Sequence, residues 1–78
     1  MKIKLMGEWV VITGKKEVKL MYDPSSIRSL YTRLEIEYTC GKWEHSTVAI
    51  NGTLYSNDWS KTITENDEVC VMPAIEGG

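Results

Sequence analysis

Only one segment of this 78-residue chain has the apolar spacing of a long helix. From residue 27 to residue 38 apolar side chains recur three or four positions apart, which places them on one face of an α-helix: Ile27, Leu30, Tyr31, Leu34 and Tyr38. A helix with one apolar face has to pack against a second layer of structure. The remaining segments, which are all short, must supply that layer.

Residues at both ends of this helix favour its start and its end. Pro24 interrupts the preceding segment, and Ser25 or Ser26 can accept hydrogen bonds from the free N–H groups of the first turn. Gly41, directly after Cys40, is a candidate C-cap because glycine adopts left-handed backbone angles without strain. We therefore predict a helix that begins after these serines and ends before Gly41.

Polar and apolar residues alternate in most other segments, which is the pattern of half-buried strands. We predict strands at residues 2–6, 17–22, 47–50, 53–55 and 68–72. A turn at residues 14–16 would join the first two strands into a hairpin, and Asn51-Gly52 is a strong two-residue turn signal. The run at residues 9–12 is too short for periodicity to decide between a strand extension and a short helix. Residues 56–66 are predicted to be a loop that Trp59 and Ile63 hold on the core.

The order of these elements, β-β-α-β-β-β, predicts an α+β fold of the β-grasp (ubiquitin-like) type. A mixed sheet of four to five strands would pack on one main helix and leave its other face to solvent. We expect a β-grasp domain at residues 1–73 and a flexible C-terminal Gly-Gly tail at residues 74–78. The predicted core contains aliphatic residues of every element: Ile3, Leu5, Val18, Leu20, Ile27, Leu30, Leu34, Val48, Ile50, Leu54, Ile63, Val69 and Val71.

The charge balance argues against a nucleic-acid partner. Nine basic and eleven acidic residues give a net charge of -2, without the basic surplus of a nucleic-acid binder. The acidic residues are concentrated in the second half, which would attract a basic partner or would simply be a solvated surface. We also expect a cytoplasmic protein with no membrane association, because no signal-peptide core and no long apolar run is present. Cys40 and Cys70 are then expected to be free thiols, with one disulfide as the alternative.

The sequence contains no zinc-type Cys/His spacing, no phosphate-binding glycine loop and no nucleophile–base set. Cys70 and Met72 alternate with predicted core residues, so we expect them on the open face of the sheet, with Met1, Met6 and Met21 nearby. Such a patch would suit partner docking, because methionine adapts to different surfaces. Ordinary sheet surface is the alternative.

The last third of the chain contains a set of short motifs: residues 48–54 (VAINGTL), Ile63, residues 67–69 (DEV) and residues 72–78 (MPAIEGG). This set resembles the C-terminal half of the MoaD/ThiS family of sulfur-carrier proteins, which are β-grasp domains that end in Gly-Gly. Residues 14–18 and 26–30 match the family's second strand and helix start more loosely. Asn66 stands where the family usually has glycine before the Asp. Asparagine is the best substitute at a left-handed position, so we predict that the turn is kept.

The resemblance implies chemistry at the carboxylate of Gly78. An E1-like (MoeB-like) adenylyltransferase would join this carboxylate to AMP from ATP. A sulfur donor such as a cysteine desulfurase would then displace AMP to leave a thiocarboxylate. Gly77 and Gly78 lack a Cβ and could pass through a narrow channel. The chain itself would bind no cofactor. Partner contacts are expected from the last strand and the tail: Cys70, Met72, Pro73, Ala74, Ile75 and Glu76.

Within the family, Met72-Pro73 favours the small subunit of molybdopterin synthase. That subunit would act with a large (MoaE-like) subunit in molybdenum cofactor biosynthesis and would not be catalytic alone. Three alternatives stay open: a thiamine-pathway sulfur carrier, a ubiquitin-like protein modifier conjugated through Gly78, and an interaction domain with an idle tail.

Overall fold

The computed structural model describes residues 1–20, 23–39, 43–56 and 58–73. In chain order, its elements are β1 (Lys2–Leu5), α1 (Glu8–Thr13), β2 (Glu17–Lys19), α2 (Ile27–Glu37), a 3₁₀ helix (Trp43–His45), β3 (Ser46–Ile50), β4 (Thr53–Tyr55) and β5 (Val69–Pro73). None of the helices in these ranges is long and apolar enough to cross a membrane.

The strands form one mixed sheet in the order β2-β1-β5-β3-β4. Strands β1 and β5 are parallel, and the other neighbouring pairs are antiparallel. Helix α2 packs on one face of this sheet through buried residues such as Leu30 and Leu34. This arrangement confirms the predicted β-grasp fold, with five strands and one main helix in the described part of the chain.

The predicted pairing of the first two strands is confirmed, but their connection contains a helix in addition to a turn. Helix α1 buries Trp9, whose ring stacks on Trp43 with 4.2 Å between the ring centroids. Gly14 ends the helix in a left-handed conformation with φ 72°, and its N–H donates to the Val10 carbonyl. The stacking contact determines the conformation of residues 9–12, since β-branched residues such as Val10 and Val11 do not favour a helix by themselves.

Helix α2 begins as predicted, at the second of the two serines. The Ser26 hydroxyl accepts from the Ser29 N–H, and the Ser29 hydroxyl accepts from the Ser26 N–H, which forms a reciprocal capping box. The helix ends at Glu37, so Tyr38 is its C-cap and not part of its last turn. The Trp43 indole donates to the Tyr38 carbonyl at 2.7 Å and so satisfies one free acceptor at this end. The predicted cap Gly41 lies outside the described residues.

The predicted core is confirmed at every position except Leu54. Strand β4 pairs Leu54 with Ala49, on the face away from α2, and the Leu54 side chain is 54% exposed. The neighbouring Tyr55 packs against the core in its place. Three aromatic side chains that the predicted core lacks are buried in it: Trp9, Tyr31 and Trp43.

The loop before β5 is fixed at both of its ends. Ile63 is buried, and Trp59 packs edge-on against Tyr31, as predicted for these two anchors. The backbone also pairs with the start of α2, since the Ile63 N–H donates to the Ser25 carbonyl at 2.9 Å. These contacts with α2 therefore position the segment that leads into β5.

The two-residue turn between β3 and β4 is confirmed. Asn51 and Gly52 have left-handed φ values of 52° and 86°, which suit a hairpin turn. The turn predicted at Asn66 is present at residues 65–66, but Asn66 itself is not left-handed, because Asn51 is the one non-glycine residue with positive φ in the described ranges. Instead, the Asp67 carboxylate closes this turn by accepting from the Thr64 N–H at 2.8 Å and from the Asn51 amide at 2.9 Å.

These hydrogen bonds predict an acid-dependent stability. The bond from the Thr64 N–H, followed by the bond from Asn51, lowers the pKa of Asp67 below its ordinary value. A lowered pKa in the folded state stabilises the fold above the unfolded pKa, and this contribution is lost as the pH falls through the folded pKa. Urea midpoints at pH 7 and pH 3 should therefore differ less for Asp67→Asn than for the wild type. Equal differences for the two proteins would contradict this role.

Candidate functional site

Strand β5 leads into the predicted tail from the centre of the sheet. It lies between β1 and β3, and Val71 is paired with Leu5 on one side and with Val48 on the other. The Val69 and Val71 side chains are fully buried. Because both neighbours bond to this strand, the direction in which the chain leaves the sheet is fixed.

Pro73, the last residue of β5, packs against the chain on two sides. It is paired with Ser46 of β3. On the other side, an added Cβ at Gly7 would lie 3.1 Å from the Pro73 Cδ, closer than a side chain tolerates without movement. Gly7 also has a φ of 61°, and the N–H of the preceding Met6 donates to the Val71 carbonyl at 3.0 Å. Glycine at position 7 thus permits both the turn into α1 and the close contact with Pro73.

Two glycine substitutions compare these requirements with those of an ordinary left-handed glycine. Gly7→Ala should destabilise the fold by about 2–3 kcal/mol, because alanine is strained at φ 61° and ψ -134° and the Pro73 contact adds to that cost. Gly14→Ala is the comparison, since Gly14 has left-handed helical angles (φ 72°, ψ 15°), where alanine costs about 1–2 kcal/mol, and no atom lies within 4 Å of its added Cβ. Chemical denaturation should show the larger loss for Gly7→Ala. An equal loss would contradict a special requirement for glycine at position 7.

Helix α2 also supports the end of β5. The Tyr31 hydroxyl donates to the Ser46 carbonyl at 2.9 Å, and Ser46 is the partner of Pro73. Burial raises the pKa of Tyr31 to about 12, so the hydroxyl keeps its proton and remains a donor at neutral pH. The Ser46 hydroxyl and the Trp9 indole N–H are buried and have no hydrogen-bond partner among the described residues.

The alternation predicted for β5 is confirmed: Cys70 and Met72 are partly exposed on the face opposite α2. Burial raises the pKa of the Cys70 thiol, so it is protonated at neutral pH and is a poor nucleophile. Met6 is 52% exposed, and Met1 is partly buried against the core. Met21 lies outside the described residues.

A concave surface lies at the opposite end of β5, and most of its lining residues are charged or polar. Lys4 is 3.2 Å from Glu68, and Lys2 is 3.7 Å from Glu17. These pairs are exposed, and each contributes at most about 1 kcal/mol. Among the described residues, no three His, Cys, Asp or Glu side chains are placed to hold a metal ion. The features that suggest function are therefore those around Pro73.

The predicted site residues divide into two groups. Cys70, Met72 and Pro73 are placed together on β5. The other five lie outside the described residues: Ala74, Ile75, Glu76, Gly77 and Gly78. Gly7 and Ser46 also contact or pair with Pro73 but were not among the site residues predicted from the sequence. Gly7 could have been found from the sequence, because it separates two apolar segments. Nothing in the sequence relates Ser46 to Pro73.

The sequence profile of the ThiS family matches residues 3–78, which is nearly the whole chain. The chain belongs to the ThiS family. It is accordingly a small ubiquitin-like protein of the ThiS/MoaD sulfur-carrier group, as the sequence motifs suggested. No curated protein matches the chain by sequence at a significant level.

Several solved structures of proteins of similar length have the same fold. SAMP1 from Haloferax volcanii is 17% identical, with a TM-score of 0.69, and the match covers 99% of this chain and 97% of that one. A candidate molybdopterin converting factor, subunit 1, from Pyrococcus furiosus is 19% identical, with a TM-score of 0.72 and 95% coverage of both chains. A chain of the BexX/CysO complex from Amycolatopsis orientalis is 18% identical, with a TM-score of 0.65 and coverages of 99% and 98%. At these identities, the similarity is one of fold.

Proposed function

We propose that this ThiS-family protein carries sulfur as a thiocarboxylate on Gly78. The observation that supports this proposal most is the position of β5. The strand is paired with β1 up to Val71 and with β3 up to Pro73, and the sequence continues for five residues to Gly77-Gly78. The family match extends through residue 78 and so includes this glycine pair.

The five residues after Pro73 give the proposed reactive group a considerable reach. A fully extended segment of this length spans roughly 17 Å, at about 3.4 Å per residue. Two final residues without side chains could enter a channel that is too narrow for other residues. The folded domain would then act as a rigid base from which a partner enzyme receives the end of the chain.

The proposed chemistry starts from an ionised carboxylate, since a free α-carboxyl has a pKa near ~3.5. One carboxylate oxygen attacks the α-phosphorus of ATP, and the bond to pyrophosphate breaks to leave an acyl adenylate. A sulfur nucleophile then attacks the acyl carbon and expels AMP. If the donor is a persulfide, a second thiol must cleave the resulting S–S bond to release the thiocarboxylate.

We assign the catalytic groups for these steps to partner enzymes. Burial raises the pKa of the Cys70 thiol and so keeps it protonated, which makes it a poor nucleophile for these steps. The proposed partners are an E1-like adenylyltransferase that uses ATP, a sulfur donor such as a cysteine desulfurase, and an acceptor enzyme. The tail, together with Cys70, Met72 and Pro73, would contact them. A CysO chain of the same fold occurs in a complex with BexX, which supports docking of this kind.

For the pathway, we propose molybdopterin synthesis, with this chain as the small subunit of the synthase. Met72-Pro73 before the tail and the structural similarity to the Pyrococcus furiosus protein favour this assignment. The similarity to SAMP1, a small archaeal modifier protein, supports the second candidate, which is conjugation to target lysines through Gly78. A Gly-Gly remnant on lysines of cellular proteins would identify the modifier.

Mass spectrometry of the protein from its native host tests the shared part of the proposal. We expect a fraction in which one oxygen is replaced by sulfur. Because oxidation of a methionine changes the mass almost equally, fragment ions that contain Gly77 and Gly78 but not Met72 must carry the change. A protein that carries sulfur only elsewhere, or not at all, during active cofactor synthesis would contradict the proposal.

The pathway needs a separate experiment with a defined acceptor. The thiocarboxylated protein should convert the molybdopterin precursor to the dithiolene when it is mixed with the purified large synthase subunit of the same host. The unmodified carboxylate form is the matched control and should give no product. Failure of the thiocarboxylated form, together with activity in thiazole synthesis, would favour the thiamine alternative.

A further inference from the structure

The exposed hydrophobic side chains of the described residues are concentrated beside α1. Five large hydrophobic side chains are exposed, and three of them lie within residues 6–12: Met6 at 52%, Val11 at 83% and Ile12 at 42%. We call these three residues the α1 surface. The other two, Ile36 and Leu54, occur singly on α2 and β4. Single exposed apolar residues are common, whereas a cluster in one short segment indicates a contact surface.

The local structure does not account for the α1 surface. A helix of six residues is too short to be stable alone, and its β-branched residues weaken it further. The burial of Trp9, whose ring stacks on Trp43, holds the helix in place. Val11 and Ile12 thus contribute neither to helix propensity nor to the core. Polar residues at these two positions would preserve the fold equally well.

The α1 surface lies close to the point where the proposed tail begins. Gly7 contacts Pro73, and α1 starts at the next residue and extends for about 9 Å. An enzyme that receives Gly78 must approach Pro73 to within roughly 17 Å, the extended length of five residues. An interface of about 800 Å² per partner corresponds to a disc about 16 Å in radius. An interface of this size near Pro73 therefore has room to include the α1 surface as well as the tail.

We propose that the α1 surface docks into an apolar recess of the enzyme that adenylylates Gly78. This inference rests on the proposed function. Adenylylation of the terminal carboxylate is the step that sulfur transfer to molybdopterin, sulfur transfer to thiazole and conjugation to lysine all require. The activating enzyme is therefore the partner that every one of these routes brings to Pro73. The carrier would be recognised by its α1 surface before its tail reaches ATP.

ATP–pyrophosphate exchange with the purified E1-like adenylyltransferase of the same host tests this docking. In the double variant Val11→Lys/Ile12→Lys, we expect the KM for the carrier to rise at least tenfold, with kcat within about twofold, because binding away from the reacting atoms is lost. Lysine is a better helix former than valine or isoleucine, so α1 should persist. The single variant Val11→Lys, at the most exposed position, should raise the KM less than the double variant does. Circular dichroism checks that each variant is folded.

Ile36→Lys is the matched control, since Ile36 is 63% exposed on α2, and it should leave the KM unchanged. An unchanged KM for the double variant, with exchange abolished by deletion of Gly78, would overturn the docking proposal and leave the carrier function intact. No exchange with the wild-type protein would overturn both. A defect confined to sulfur transfer onto the acceptor enzyme would assign the α1 surface to that enzyme and overturn the proposal made here.

Discussion

Deletion of Gly78 is expected to reduce adenylylation by at least about 10²-fold while the folded domain keeps its stability. The deletion withdraws the terminal carboxylate by about 3.4 Å, and a misplacement of 1 Å can already cost roughly 10²-fold in rate. No described element of the fold includes residue 78, so the sheet should be unaffected. ATP–pyrophosphate exchange measures the reaction, and urea denaturation measures the stability.

Gly78→Ala is the informative companion to this deletion. It keeps the chain length and the carboxylate, and adds one methyl group that a narrow channel would reject. We expect an intermediate loss, mainly in the KM for the carrier. Full activity of the deletion variant would exclude Gly78 as the reactive residue, and full activity of Gly78→Ala would exclude only the narrow channel.

Trp43→Ala should cause the largest loss of stability, about 3–5 kcal/mol, as for other large aromatic residues removed from a core. Trp43 is 1% exposed, stacks on Trp9 and donates to the Tyr38 carbonyl. A domain of this size has a total stability of roughly 4–12 kcal/mol, so the loss would be a large fraction of the whole. Far-UV circular dichroism is the suitable probe, because Trp43 is itself a fluorophore.

Two controls distinguish packing from the hydrogen bond at this position. Trp43→Phe keeps an aromatic ring against Trp9 but loses the indole donor, so we expect a smaller loss of about 1–2 kcal/mol. Val11→Ala removes an 83% exposed side chain and should change the stability by less than about 0.5 kcal/mol. A loss below about 1 kcal/mol for Trp43→Ala would contradict the central role of this ring.

The fold was predictable from sequence wherever local signals and packing agree. The spacing from Ile27 to Leu34, the serine cap and the Asn51-Gly52 turn each indicate one structure, and the sheet and helix follow from them. Residues 9–12 could not be decided in this way, because their β-branched residues favour a strand and a distant ring, that of Trp43, holds them in a helix. Long-range contacts of this kind leave no periodic signal in a short segment.

The exposure of Leu54 and some contacts of the site could not be predicted from the sequence for the same reason. In a strand of three residues, alternation does not determine which face is buried, and the register that pairs Leu54 with Ala49 comes from the turn. The motif that ends in Gly-Gly indicated β5 and its tail from sequence alone. The contact of Gly7 with Pro73 could not be predicted, because it depends on the parallel pairing of two strands from opposite ends of the chain.

That pairing has a consequence for how the protein is synthesised. Strand β5 is last in chain order but central in the sheet, so a growing chain that lacks residues 69–73 has only two separate hairpins, β1 with β2 and β3 with β4. Isolated two-stranded hairpins are marginally stable at best, and long-range strand pairing forms slowly. The core can therefore close only after Pro73 has left the ribosome. A folded domain that presents the residues beyond Pro73 to a partner must therefore contain the complete sheet.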